Sequence, residues 1–314
     1  HDSVRGYISS SAALSNDRGA LYSNDPAAWV STIKISMIPD GFSIDAATAI
    51  NQNEQAEIAW GWKAGGHPLG GRTLGTINAG NPSGAGTIAN TGNMTAITQS
   101  VSQTTGFCIT KYNGTSTANQ TYTLPHNLGA KPDWIIVKSG VIAGWVAWHS
   151  SLTASKNIRF DTNAAEYTQD VNGYVDGTAT DSTNIILKGG TSSALSVMNG
   201  GGVILYAWKA VAGKSSFGSF TGTGGSMVKT GLGFRPRWLM VKAKTGSSKS
   251  WMIRDSFRGH PSVSFNHHLY ADLANAESTD SAMAMSFTAD GFTLTGGSLH
   301  TNELNRVYIY MAFA

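Results

Sequence analysis

The residues best suited to recognition chemistry form a short motif, Asp-Ser-x-Arg-Gly, at Asp2–Gly6 and again at Asp255–Gly259. A guanidinium three positions after a carboxylate supports two kinds of chemistry. Arg5 and Arg258 could grip an acidic sugar or a carboxylate through their planar fork. Alternatively, Asp2 with Arg5, and Asp255 with Arg258, could lock a turn. A related segment, His149-Ser150-Ser151-Leu152, lacks the pair. A site that every copy needed would not vanish from one of them, so turn-locking is the preferred reading.

Other polar groups point away from catalysis. His267 and His268 are adjacent, and neighbours on a strand face opposite sides, so they do not readily share a metal ion. His260 and Asp272 lie near in sequence but complete no ligand spacing. His126 reads as a turn residue. The 19 acidic residues fall mostly in turn motifs such as Asp40-Gly41, Asp176-Gly177 and Asp290-Gly291, where turn duty explains them. Ser226, after Thr223-Gly224-Gly225, lacks the strand-to-helix setting of a nucleophile elbow. No catalytic, metal-binding or cofactor-binding residue is assigned, and the chain does not read as an enzyme.

Nine tryptophans are the largest side chains. Trp62, Trp134, Trp208 and Trp238 recur in register and mark core positions. If their faces point outward, Trp145, Trp148 and Trp251 could stack on sugar rings as a carbohydrate platform. Packing in a core or interface is the favoured alternative for all three.

The elements that must position these residues repeat. Leu128-Gly129-Ala130-Lys131-Pro132-Asp133-Trp134-Ile135-Ile136-Val137-Lys138 matches Leu232-Gly233-Phe234-Arg235-Pro236-Arg237-Trp238-Leu239-Met240-Val241-Lys242. Gly provides a turn and Pro starts a strand without needing an N–H partner. The unbroken apolar run after Trp predicts a strand covered on both faces. A second signal is a short Ser-containing strand end, at Trp145–Ser150 and Trp251–Gly259; the start of the chain matches its last residues. A third is a tight turn and strand at Asp40-Gly41, Asn172-Gly173 and Asp290-Gly291, each followed by an aromatic strand ending near Trp62, Trp208 or Phe313.

The unit spans about 105 residues. It predicts an all-β protein of tandem β-sandwiches with about eight strands each, a jelly roll being one such arrangement. Residues 107–214 and 215–314 form complete units. Residues 1–66 hold only the C-terminal half of a unit, without an L-G-x-x-P-x-W strand; either upstream residues supply it or another chain does, the former being favoured. Residues 67–106, rich in Gly, Ala, Ser and Thr, read as a linker, so the first unit should be loosely attached and the other two close together. A short helical turn is expected at 271–277.

Composition agrees. Charged residues make up 13% of the 314 residues, well below the roughly 25% of an average soluble domain. With Gly at 37, this favours sheets joined by tight turns. The net charge of +3 is scattered, which argues against a nucleic-acid surface. No apolar run is long enough to span a membrane as a helix. The single cysteine, Cys108, cannot form a disulfide within the chain and reads as a buried small residue.

Phe217–Gly224, Thr230–Lys242, Asn275–Thr279, the closing Tyr310–Ala314, the Asp2–Gly6 start and Trp60–Gly66 together resemble a domain of unknown function. That domain recurs in tail proteins of bacteriophages, especially marine and cyanobacterial ones. The resemblance covers nearly the whole chain and is weakest in the linker. It implies a structural virion protein on the surface of the extracellular particle: a tail fibre, tail tip or other appendage. It brings no known catalytic site. Partners would be other copies of the chain, a trimer by analogy with phage fibres, and other virion proteins. The alternative is a module that binds host-surface glycans.

Overall fold

The computed structural model describes residues 21–27, 35–38, 41–44, 58–65, 75–77, 83–91, 94–115, 119–140, 143–168, 173–190, 202–246, 249–258 and 266–314. The fold is all-β. Its strands are β1 (Ile35–Ile38), β2 (Gly41–Ile44), β3 (Gly75–Thr76), β4 (Gly84–Thr87), β5 (Thr95–Ser102), β6 (Phe107–Asn113), β7 (Thr121–Pro125) and β8 (Trp134–Ser139). They continue as β9 (Val146–His149), β10 (Lys156–Arg159), β11 (Tyr167–Thr168), β12 (Tyr174–Val175), β13 (Asn184–Lys188), β14 (Val203–Trp208), β15 (Ser215–Thr221) and β16 (Met227–Lys229). The last are β17 (Trp238–Ala243), β18 (Met252–Asp255), β19 (His267–Tyr270), β20 (Ser278–Thr279), β21 (Met285–Thr288), β22 (Gly291–Leu294) and β23 (Val307–Phe313).

One large sheet has the order β11-β10-β9-β8-β14-β6-β5-β4-β3, and a smaller one β12-β13-β7. The same order returns as β20-β19-β18-β17-β23-β15 and β21-β22-β16. Registers match as well: Trp134 pairs with His149 and with Trp208, as Trp238 pairs with Asp255 and with Phe313. Each set of sheets encloses a core. Ile135, Val137, Leu205, Tyr122 and Leu187 meet in one, and Leu239, Val241, Tyr310, Phe287 and Phe292 in the other.

The opposite faces of the two large sheets share a further core. Trp134, Ile136, Tyr206 and Trp208 meet Trp238, Met240, Trp251 and Met311 there. Successive residues of β8 and β17 therefore enter different cores, and all six positions of each strand are buried. Burial on both faces explains the unbroken apolar runs. Each large side chain so buried contributes about 1.5–3 kcal/mol.

Several sequence expectations meet a different structure. Within 67–106, β4 and β5 extend the large sheet, β5 alternating so that Ile97, Gln99 and Val101 face inward. Composition hid this period-2 pattern, because Thr, Ser and Gln fill the outward positions. No helix forms at 271–277. A single 3-10 turn lies at Ser281–Met283 instead, where Asp280 caps the Ala282 N–H. Ile58–Trp62 is not a strand but an extended segment on the shared core, to which Ile58, Trp60 and Trp62 are added. Ile58, Trp60 and Trp62 of the first unit thus pack, partly buried, against the core shared by the other two. Among the described residues no helix is long and apolar enough to cross a membrane.

Candidate interaction site

The structure places the sequence candidates as follows. Asp2 and Arg5 lie outside the described residues. Asp255 is buried, and its Oδ1 accepts from the N–H groups of Phe257 and Arg258, both at 3.0 Å. Its Oδ2 accepts from Arg258 Nε at 2.7 Å. Arg258 Nη1 donates to Glu277 at 3.2 Å, and the guanidinium lies 5.6 Å from the Trp60 ring centre. The fork is thus engaged inside the molecule, in the geometry of a locked turn. His149 does the same work in the other unit: its Nδ1 accepts from Ser151 N–H at 3.0 Å while Nε2 meets the Tyr310 carbonyl at 3.1 Å. Burial drives the His149 pKa down to about 4, so the ring is neutral with its proton on Nε2.

The carbohydrate platform is corrected. Trp145, Trp148 and Trp251 are 1%, 7% and 0% exposed, so none offers a ring face to a sugar. Their strands are covered on both sides, which alternation alone could not reveal. Trp148 packs over Gly177 and against Lys131. His267 pairs with Glu277 at 2.7 Å, whereas His268 is buried against Asn266 O and Tyr270 Oη. Among the described residues no group of three His, Cys, Asp or Glu is placed to hold a metal. His126 accepts from Leu128 N–H at 3.1 Å, a turn role. Asp290 accepts from Gly231 and Gly233 N–H, which lowers its pKa. Burial pushes the Cys108 thiol up to about 12.

A repeated polar contact was not foreseen. Lys138 and Lys242, at the same place in the repeat, are fully buried. Lys242 Nζ donates to Asn163 O at 3.0 Å and Ala164 O at 2.8 Å, in the preceding unit, as well as to Lys249 O at 2.7 Å. Lys138 Nζ donates to Pro26 O at 3.3 Å and Ser139 O at 2.7 Å. Trp251 Nε1 donates to Arg159 O at 2.9 Å, and Trp145 Nε1 to Tyr22 O at 3.0 Å and Asp25 O at 3.2 Å. Lys249 N–H also bonds Asn163 O, as Ala143 N–H bonds Pro26 O, both at 2.9 Å.

The acceptor segments correspond residue by residue. Leu21-Tyr22-Ser23-Asn24-Asp25-Pro26 matches Ile158-Arg159-Phe160-Asp161-Thr162-Asn163 and Leu269-Tyr270-Ala271-Asp272-Leu273-Ala274. Leu21, Ile158 and Leu269 all enter the shared core. In each complete unit, then, a Trp and a Lys on the β8–β9 or β17–β18 hairpin clasp three carbonyls of the unit before it. Burial lowers both lysine pKa values to about 8, against the pull of Asp161 and Asp25 for Lys138 and of Asp272 for Lys242.

The contacts also close on themselves. Ser23 Oγ donates to Ala271 O, and Arg258 lies on Trp60. Trp62 touches Trp208, Trp238 and Phe313, with ring centres 5.3–6.3 Å apart. The first unit therefore touches both others in a cyclic order of three. Beside Trp60 and Trp62 an open hollow of about 460 Å³ is walled by Lys63, Lys214, Trp238 and Phe313.

This is an all-β protein of repeated sheets, joined head to tail by buried Trp–Lys contacts around a common aromatic core. The chain belongs to the family described as "Domain of unknown function (DUF7483)", whose model matches residues 1–314. No curated protein and no solved structure is found to match it.

Proposed function

We propose that the chain is a structural component of a phage particle, a tail fibre, tail tip or surface appendage, acting as a scaffold at the particle surface. The observation that supports this reading most is the head-to-tail clasp. It spends the large aromatic rings and two buried lysines on joining units to one another. The sequence resemblance to phage tail domains points the same way. Partners in this reading are other copies of the chain and other virion proteins, for which the exposed Phe257, Val228 and Leu304 offer apolar contacts. Glycan binding through Trp145, Trp148 and Trp251 is not carried forward, because those rings are buried. The test is mass spectrometry and immunogold electron microscopy of purified particles from an infected host. Stoichiometric labelling at a tail or surface appendage is expected. Absence of the chain from purified particles would overturn the proposal.

A further inference from the structure

We propose that the third position of the ring is a docking site for one more Trp–Lys hairpin of this repeat. The argument rests on the two clasps already present. Trp145 and Lys138 take the carbonyls of Tyr22 and Pro26; Trp251 and Lys242 take those of Arg159 and Asn163. The corresponding carbonyls of the third unit belong to Tyr270 and Ala274, and no described residue donates to either one. Tyr270 pairs with Met252 as Arg159 pairs with Val146. Its carbonyl is therefore directed as that of Arg159 is, away from the neighbouring strand.

A second observation marks the same occupant. Ile58–Trp62 corresponds to the ends of β14 and β23. Trp208 and Phe313 on those strands pair with Trp134 and Phe107, and with Trp238 and Ser215. The segment holding Trp62 pairs with no strand among the described residues, and the open hollow runs beside it. A hairpin of pattern L-G-x-x-P-x-W, three apolar residues and Lys, followed by a Trp-led strand, would meet both needs at once. Its first strand would pair along 58–62, and its Lys and second Trp would reach Ala274 O and Tyr270 O. The hairpins of units two and three are already engaged within the chain, so a second copy has none to lend.

The probe is a synthetic peptide with the sequence of residues 128–150, added to the whole 314-residue chain. Calorimetry should show 1:1 binding, and hydrogen exchange should slow at 58–64 and 270–275. A peptide with Lys138→Met and Trp145→Phe should bind at least about tenfold more weakly, the loss of two hydrogen bonds. Absence of binding, equal binding of the altered peptide, or protection elsewhere would each overturn the proposal. So would concentration-dependent dimerisation of the chain that protects the same two segments without peptide, since the occupant would then be a second copy. None of these outcomes depends on whether the chain is found in phage particles.

Discussion

His149 should make the contact between the second and third units sensitive to acid. Its neutral ring donates from Nε2 to Tyr310 O and accepts at Nδ1 from Ser151 N–H, and it packs beside Phe217. Protonating Nδ1 removes the acceptor, turns two donors toward each other and charges a fully buried ring, with Lys244 adding repulsion. The folded pKa of about 4 lies below the ordinary 6.5. The unfolded chain therefore takes up the proton first, and stability falls as pH drops from about 6.5 to 4. Each pKa unit corresponds to about 1.4 kcal/mol, so the group costs about 2 kcal/mol at pH 5 and about 3 kcal/mol at pH 4. In His149→Asn the amide oxygen can still accept from Ser151, but the group does not titrate. Losing the Tyr310 bond should leave that variant about 1–2 kcal/mol less stable at pH 7. Urea unfolding of both proteins, followed by tryptophan fluorescence at pH 7, 6, 5 and 4, measures the difference directly. On going to pH 4 the parent protein should lose about 3 kcal/mol relative to the variant, so the order reverses and His149→Asn becomes the more stable by about 1–2 kcal/mol. A gap that stays constant with pH would refute the reasoning about His149.

Three other predictions follow from the clasps and the turns. Trp251→Phe keeps one aromatic ring but removes the indole N–H that reaches the Arg159 carbonyl and leaves a cavity, so chemical denaturation should show a loss of at least about 1–2 kcal/mol, with a similar loss for Trp145→Phe. Lys138 and Lys242 have folded pKa values of about 8 against an ordinary 10.5. The folded chain gives up these protons first, so denaturation midpoints should rise between pH 8 and 10, and Lys242→Met should flatten part of that slope. Gly177→Ala would set a Cβ 1.9 Å from Trp148 Nε1, whereas a Cβ at Gly225 meets nothing within 4 Å. Thermal unfolding should show the first variant destabilised by about 1–3 kcal/mol and Gly225→Ala nearly unchanged.

Local pattern was legible in the sequence wherever one residue's own conformation decides the structure. Gly129 and Gly233 both sit at positive φ, 77° and 79°, in the repeated turn before the strand. Their neighbours two positions earlier, Asn127 and Gly231, do the same with different side chains, and both types tolerate that region. The apolar runs of β8 and β17 announced burial on both faces, and the equivalence of Trp208 with Phe313 follows from the repeat alone. The turn role of Asp255 and Arg258 was also among the readings, as was the unpaired state of Cys108.

The clasps were not legible, although their signal was present. Lys138 and Lys242 recur at one fixed position after three apolar residues, yet a lysine at a strand end ordinarily reaches solvent. What buries these two is a set of carbonyl oxygens from the preceding unit, about 80–110 residues away in sequence. Backbone carbonyls belong to every residue type, so no spelling marks Pro26, Asn163 or Arg159 as an acceptor. The sheet formed by residues 84–102 was hidden for a related reason, its outward Thr and Ser resembling those of a flexible segment. The sequence alone determined the repeat, its turns and which strands are apolar throughout. Only the tertiary structure decided which unit each Trp and Lys grips, because that choice depends on bringing sequence-blind backbone groups and distant side chains into one water-excluding core.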